Sequence, residues 1–177
     1  MRNIKLVIEY DGKEFGGWQK QPKKLNIQGE IEKVLKTITG EEIELIGSGR
    51  TDSGVHSIGQ VANFKTNSNI PIEKFAIAIN SNIKKSIIIK LAEEVDTNFH
   101  SRYNCKQKTY RYTINNSKHG TALYRNYSKR NHEKFSRKTS KNRSRQNYRL
   151  VASSRCWKGF CVGQRSVKAG KINRRRI

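Results

Sequence analysis

The sequence predicts an α+β fold over residues 1–127, ordered strand, helix, strand, strand, helix, strand with one further strand, followed by an irregular basic tail over residues 128–177. Three observations lead there. Apolar side chains alternate at the start of the chain, recur at intervals of three and four in two later stretches, and thin to isolated positions once acidic residues all but stop after residue 127.

Ile4, Leu6, Ile8 and Tyr10 alternate with Lys5, Val7 and Glu9, the period of a strand with one buried face. Ile27, Ile31, Val34, Leu35 and Ile38 fall on one face of a helix that Gly40 closes. Residues 43–48 and 59–66 read as strands flanking a polar loop. Pro71, tolerated near a helix start, opens a second helix with Ile72, Phe75, Ala76 and Ile79 on one face. Residues 86–95, with Ile87, Ile88, Ile89 and Leu91, make the fourth strand, and Tyr110, Tyr112 and Ile114 share a face of a further strand at 106–114. This order is the ferredoxin-like arrangement, an antiparallel-rich sheet with its helices on one face.

A chain of 177 residues is long enough for a real core. Its net charge of +23 suggests a nucleic-acid partner, but residues 1–127 hold 20 Lys+Arg against 13 Asp+Glu, whereas the tail holds 17 against one. The first part is therefore only moderately basic. No stretch is long and apolar enough to cross a bilayer, and the N-terminus lacks the apolar run of a signal peptide, so a cytoplasmic location is expected. Cys105, Cys156 and Cys161 form an odd set without metal-ligand spacing, which points to reduced thiols and no metal site. Without a nucleotide-binding loop or a flavin site, no cofactor is expected.

Residues 49–57, GRTDSGVHS, carry the chemistry. Arg50 and Asp52 lie two apart between Gly49 and Gly54, so an extended backbone can present both side chains to one side. A carboxylate held ionised by a guanidinium can attack an electrophilic carbon without a metal. Asp52 is therefore the candidate nucleophile, although the same residue types also build ordinary polar turns.

Around that loop stand YDGKEFGGWQKQP at 10–22, IQGEIEKVL at 27–35, GQVANF at 59–64 and FHSRYNCKQKTYRY at 99–112. Together with the loop, in this order, they resemble the TruA-type tRNA pseudouridine synthases, whose loop has alanine where this chain has Ser53. The resemblance implies isomerisation of uridine to pseudouridine in the anticodon stem-loop of tRNA, without a cofactor, by an enzyme expected to be a homodimer. It implies Asp52 as the nucleophile, attacking C6 of the uracil or C1′ of the ribose, with the target base flipped from its stack. Arg50 would then hold the carboxylate ionised and the extruded nucleotide in place. Tyr110 would stack on the uracil, its hydroxyl assisting proton removal from C5.

Read from the residues alone, Arg50 also fits a phosphate contact and Tyr110 a core-facing strand position. His56 suits fixing loop backbone better than acting as a base. Phe15 and Trp18 read as core or hairpin support, and Lys13, Lys20, Lys23 and Lys24 as a solvated edge able to meet phosphates.

After Tyr127, runs such as KRNHEKFSRKTSKNRSRQNYR have neither helical nor strand periodicity. The favoured reading is a break in the reading frame; the other is a basic arm that orders on RNA. TruA-type chains continue into a second domain that completes the catalytic cleft, and nothing after residue 127 resembles it. The alternative function is accordingly a catalytically inactive, truncated basic RNA-binding fragment.

Overall fold

The alternation at the N-terminus becomes strand β1, Arg2–Tyr10, with Ile4, Leu6, Ile8 and Tyr10 buried. In this computed structural model the described residues are 1–115, 122, 127–130, 148–157, 160–162 and 168–170. Packing divides the chain into two compact units, Met1–Cys105 and Lys106–Ile177.

In the first unit, helix α1, Ile27–Thr39, starts where the Asn26 side chain accepts the Gly29 N–H at 2.8 Å. It stops at Gly40, whose φ of 74° is left-handed and whose N–H returns to the Lys36 carbonyl. Strands β2, Ile46–Gly47, and β3, Ser57–Thr66, precede helix α2, Ile72–Asn82, with Pro71 at its N-cap, and strand β4, Ile87–Val95. The sheet order is β2-β3-β1-β4 with every pairing antiparallel, as the ferredoxin-like order requires. One core cluster joins Leu6 and Ile8 of β1 to Ile31 and Leu35 of α1 and to Phe75 and Ile79 of α2. Both helices therefore lie on one face of the sheet. Each of these side chains contributes about 1.5–3 kcal/mol by leaving water.

The second strand is shorter than expected. Ile43 and Leu45 are buried as their alternation implies, but only residues 46–47 join the ladder. The reason lies in α1. The buried Glu32 carboxylate accepts the Leu45 N–H at 3.1 Å, and Gln28 Nε2 donates to the Leu45 carbonyl at 3.1 Å, so helix side chains take the backbone groups a strand would have used. Gln28 Nε2 at 3.0 Å and Lys20 Nζ at 3.2 Å complete the partners of Glu32.

The other face of the sheet carries a buried amide pair under the loop after β4. Asn63 Nδ2 donates to Asn3 Oδ1 at 3.0 Å, and Asn63 Oδ1 accepts the Ser101 N–H at 2.9 Å. Asn3 Nδ2 donates to the carbonyls of Asp96 and Phe99 at 2.8 and 2.9 Å. Ser101 Oγ adds a bond to the Ile46 carbonyl. Residues 96–101 are thus tied to β1, β2 and β3 by groups that water cannot serve.

In the second unit, β5, Gln107–Asn115, pairs in parallel with β6, Lys129–Arg130, and antiparallel with β7, Tyr148–Trp157. Strands β8, Phe160–Val162, and β9, Lys168–Gly170, also pair with β7. The expected strand at 106–114 is present. The expectation of an irregular tail falls partly outside the described residues; where the tail is described, backbone ladders form without apolar alternation, because the bonding groups belong to the main chain. Among the described residues, no helix is long and apolar enough to cross a membrane.

Candidate active site

The loop of residues 49–57 rests on the segment between β1 and α1. Trp18 donates its N–H to the Thr51 carbonyl at 3.0 Å, and Gly54 donates to the Phe15 carbonyl at 3.3 Å. Ser53 Oγ donates to the same Phe15 carbonyl at 3.2 Å, and the Thr51 and Tyr10 hydroxyls lie 2.8 Å apart. Val55 closes a turn by donating to the Asp52 carbonyl at 3.2 Å, with Gly54 at φ 77°. The approach is close enough to exclude a side chain at Gly12 and Gly17. A Cβ on Gly12 would stand 2.0 Å from the Val55 oxygen, and one on Gly17, itself at φ 111°, 2.6 Å from the Thr51 oxygen.

This contact explains why the segments at 10–22 and 49–57 occur together. Phe15 and Trp18 are buried, with the Trp18 ring stacked so tightly on Gly47 that a Cβ there would be 2.6 Å from it. They support the loop from below. Burial pushes the Tyr10 phenol above its usual range, an effect partly offset by hydrogen bonds with Thr51 and Ser57, so its hydroxyl stays protonated at neutral pH.

His56 fixes the far end of the loop. Its Nδ1 lies 2.9 Å from Asp11 Oδ1 and 3.2 Å from the Gly12 nitrogen, so it either donates to the carboxylate or accepts the backbone N–H. Both arrangements tie the loop to residues 11–12, which suits the backbone-fixing role.

Asp52 and Arg50 are both exposed, and no ion pair joins them among the described residues. The shielded, guanidinium-paired carboxylate expected from spacing is therefore not the arrangement of the free chain: the turn at Asp52 replaces the extended backbone that would have aligned the two side chains. What the fold provides is an accessible carboxylate on a main chain fixed at the residues on both sides of it. Tyr110 lies on β5 in the second unit and is exposed, as is its face-mate Tyr112, so the core-facing reading of Tyr110 does not hold.

Arg50 borders instead a recess of about 280 Å³ that also meets His100 and Arg102. Sequence reasoning missed these two residues, although both stand in the FHSRYN run quoted above. Their signal was chemical, a histidine and an arginine two apart in a loop, without any periodicity to single them out. Of the lysines near the loop, Lys20 pairs with the buried Glu32, while Lys13, Lys23 and Lys24 are exposed. Among the described residues, no group of three or more His, Cys, Asp or Glu could hold a metal ion.

Comparison with known proteins finds the tRNA pseudouridine synthase family matching residues 6–104. The chain is 58% identical over 127 residues to tRNA pseudouridine synthase A of Caldicellulosiruptor saccharolyticus, covering 72% of this chain and 52% of the relative. It is 53% identical over 125 residues to the protein of the same name from Acetivibrio thermocellus, covering 71% and 51%. With tRNA pseudouridine synthase A 2 of Clostridium perfringens the identity is 56% over 127 residues, covering 72% and 52%. The chain spans about half the length of the curated relatives it matches.

Proposed function

The chain belongs to the tRNA pseudouridine synthase family, and from that premise we propose that it isomerises uridine to pseudouridine in the anticodon stem-loop of tRNA, with Asp52 as the nucleophile. The observation that carries this reading is the placement of Asp52: an exposed carboxylate on a loop whose neighbours Thr51, Ser53 and Gly54 are all hydrogen-bonded to the 10–18 segment. A nucleophile needs a fixed approach to its carbon, and this loop supplies one.

The chemistry balances without a cofactor. Asp52 attacks C6 of the uracil or C1′ of the ribose, the N1–C1′ bond breaks, the uracil turns, C5 bonds to C1′, and the bond to Asp52 breaks to return the free carboxylate. The C5 proton then leaves and N1 takes one up, so nothing is gained or lost overall. The uracil must first leave its stack. Its entry over Asp52 supplies the desolvation that the free loop lacks. Arg50 holds the extruded nucleotide, and Tyr110 stacks on the base with its hydroxyl available for the C5 proton.

On this reading residues 1–127 carry the catalytic part, and the basic residues 128–177 follow a shift of reading frame; translation of the parent nucleotide sequence in the other frames tests that boundary. The protein acts in the cytoplasm, and homodimerisation is read by its mass in solution.

A second reading, RNA binding without catalysis, is favoured by one feature: Asp52 is solvated and unpaired with Arg50. Incubation of the purified chain with unmodified tRNA separates the two. Pseudouridine in the recovered tRNA supports the isomerase, whereas binding with no product supports the second reading.

A further inference from the structure

The recess beside Arg50 is built from segments of the first unit that are distant in sequence, with Trp18, Gln19 and Gln28 forming one wall. Residues 44–47 and Gly49 line one part of it, and His100 and Arg102 another. At about 280 Å³ it falls just below the usual lower bound of about 300 Å³ for small-molecule pockets. It accommodates a phosphoryl group with part of a sugar, and little more.

Its chemistry is cationic and preset. Among the described residues neither Arg50 nor Arg102 has a carboxylate partner, so both guanidinium groups are available for an anion. Guanidinium forks match phosphate oxygens in pairs. His100 is held in one tautomer: its Nδ1 accepts the N–H groups of Arg102 and Tyr103 at 3.2 and 3.4 Å, which leaves the ring proton on Nε2. Its ring packs on Tyr103 with centroids 4.1 Å apart, and the His100 backbone N–H donates to Asn104 Oδ1 at 2.8 Å. The adjacent Ser101 is the residue anchored on Asn63. The loop that carries His100 and Arg102 is therefore positioned by the buried amide pair before any ligand arrives. Glu44, also at the recess, is a carboxylate that opposes an anion there.

We propose that this recess seats a phosphodiester of bound RNA, held by Arg50, Arg102 and the Nε2–H of His100. The inference rests on the reading of tRNA as the partner, and it extends the RNA footprint from the Asp52 loop to the 96–105 loop. A phosphate fixed here sets the register of the backbone next to the nucleotide being flipped, while carrying no sequence information itself.

The test is the salt dependence of tRNA affinity for the full-length chain, followed by fluorescence anisotropy with labelled unmodified tRNA between about 50 and 200 mM salt. Arg102→Gln is expected to reduce the slope of log affinity against log salt by about one, so the affinity ratio across that range shrinks about fourfold. Arg102→Lys keeps the slope, because a point charge still meets a phosphate. Glu44→Gln tightens binding. Lys33→Gln, the same charge change on the exposed side of α1, leaves the slope unchanged. The charge of the tail adds equally to every variant and cancels in the differences. An Arg102→Gln slope equal to that of Lys33→Gln or wild type overturns the proposal, as does a Glu44→Gln variant that binds no more tightly. The result is independent of catalysis: a reduced slope with no pseudouridine formed leaves the phosphate site standing and removes the isomerase reading, and product formed with an unchanged slope does the reverse.

Discussion

The Asp52 loop, through Gly49 and Arg50, and the loop at 96–105, through His100 and Arg102, both line the recess, yet they are held by different means. Residues 51–55 are fixed through main-chain bonds to residues 15–18, at a distance so short that glycine is required at positions 12 and 17. Residues 96–101 are fixed through two buried side-chain amides, Asn3 and Asn63, that reach up from the sheet. Of the side chains on the first loop, Thr51 and Ser53 turn back to Tyr10 and Phe15, and Asp52 is left exposed to a substrate. On the second, the side chains beneath the loop set its position, and the half-buried His100 and exposed Arg102 are carried along.

This contrast sets where each loop breaks. Gly12→Ala has the largest expected effect, because its Cβ would meet a backbone oxygen at 2.0 Å that no side-chain rotation can relieve. A loss of about 3 kcal/mol is expected from overpacking, read as a lowered urea midpoint, together with loss of product. Asn63→Ala comes next. It leaves the buried Ser101 N–H and Asn3 Oδ1 without their partner and costs about 2 kcal/mol in the same measurement. Hydrogen exchange is expected to quicken in residues 96–104 while the Asp52 loop keeps its protection; equal quickening in both loops breaks the distinction drawn between them.

Tyr10→Phe is the mildest change. It removes the bond to Thr51 and costs about 1 kcal/mol near neutral pH. At alkaline pH the difference narrows. The folded phenol holds its proton above the ordinary value of 10.0, so the unfolded chain loses its proton first and wild-type stability falls as pH rises through 10.0 towards the folded value. The phenylalanine variant lacks that fall, so its midpoint approaches that of wild type there. Parallel curves for the two proteins would show that Tyr10 is not buried against the loop as described.

Much of the first unit was legible from periodicity. Ile4, Leu6 and Ile8 gave β1, the Ile27 to Ile38 spacing gave α1, and Pro71 with Phe75 and Ile79 gave α2, since burial of one face imposes a period on each. The strand at 43–48 was legible only as burial. Its hydrogen bonds were lost to Glu32 and Gln28, whose reach from α1 leaves no mark on the alternation. Asp52 was legible through its motif, but the absence of an Arg50 partner was not, because a turn at 52–55 decides it and spacing alone cannot distinguish that turn from an extended run. The 96–105 loop was the least legible. Asn3, Asn63 and Ser101 are far apart in sequence, and amide groups that pair across a sheet follow no period.

The central claim is that Asp52 makes its contribution in the reaction and not in holding RNA. The most direct measurement sets pseudouridine formation beside tRNA affinity for wild type and Asp52→Ala, each as the full-length chain. The account expects product from wild type, none from Asp52→Ala, and dissociation constants within about twofold of each other, since truncating a group needed only in the transition state spares ground-state binding. Equal product from the two proteins contradicts it.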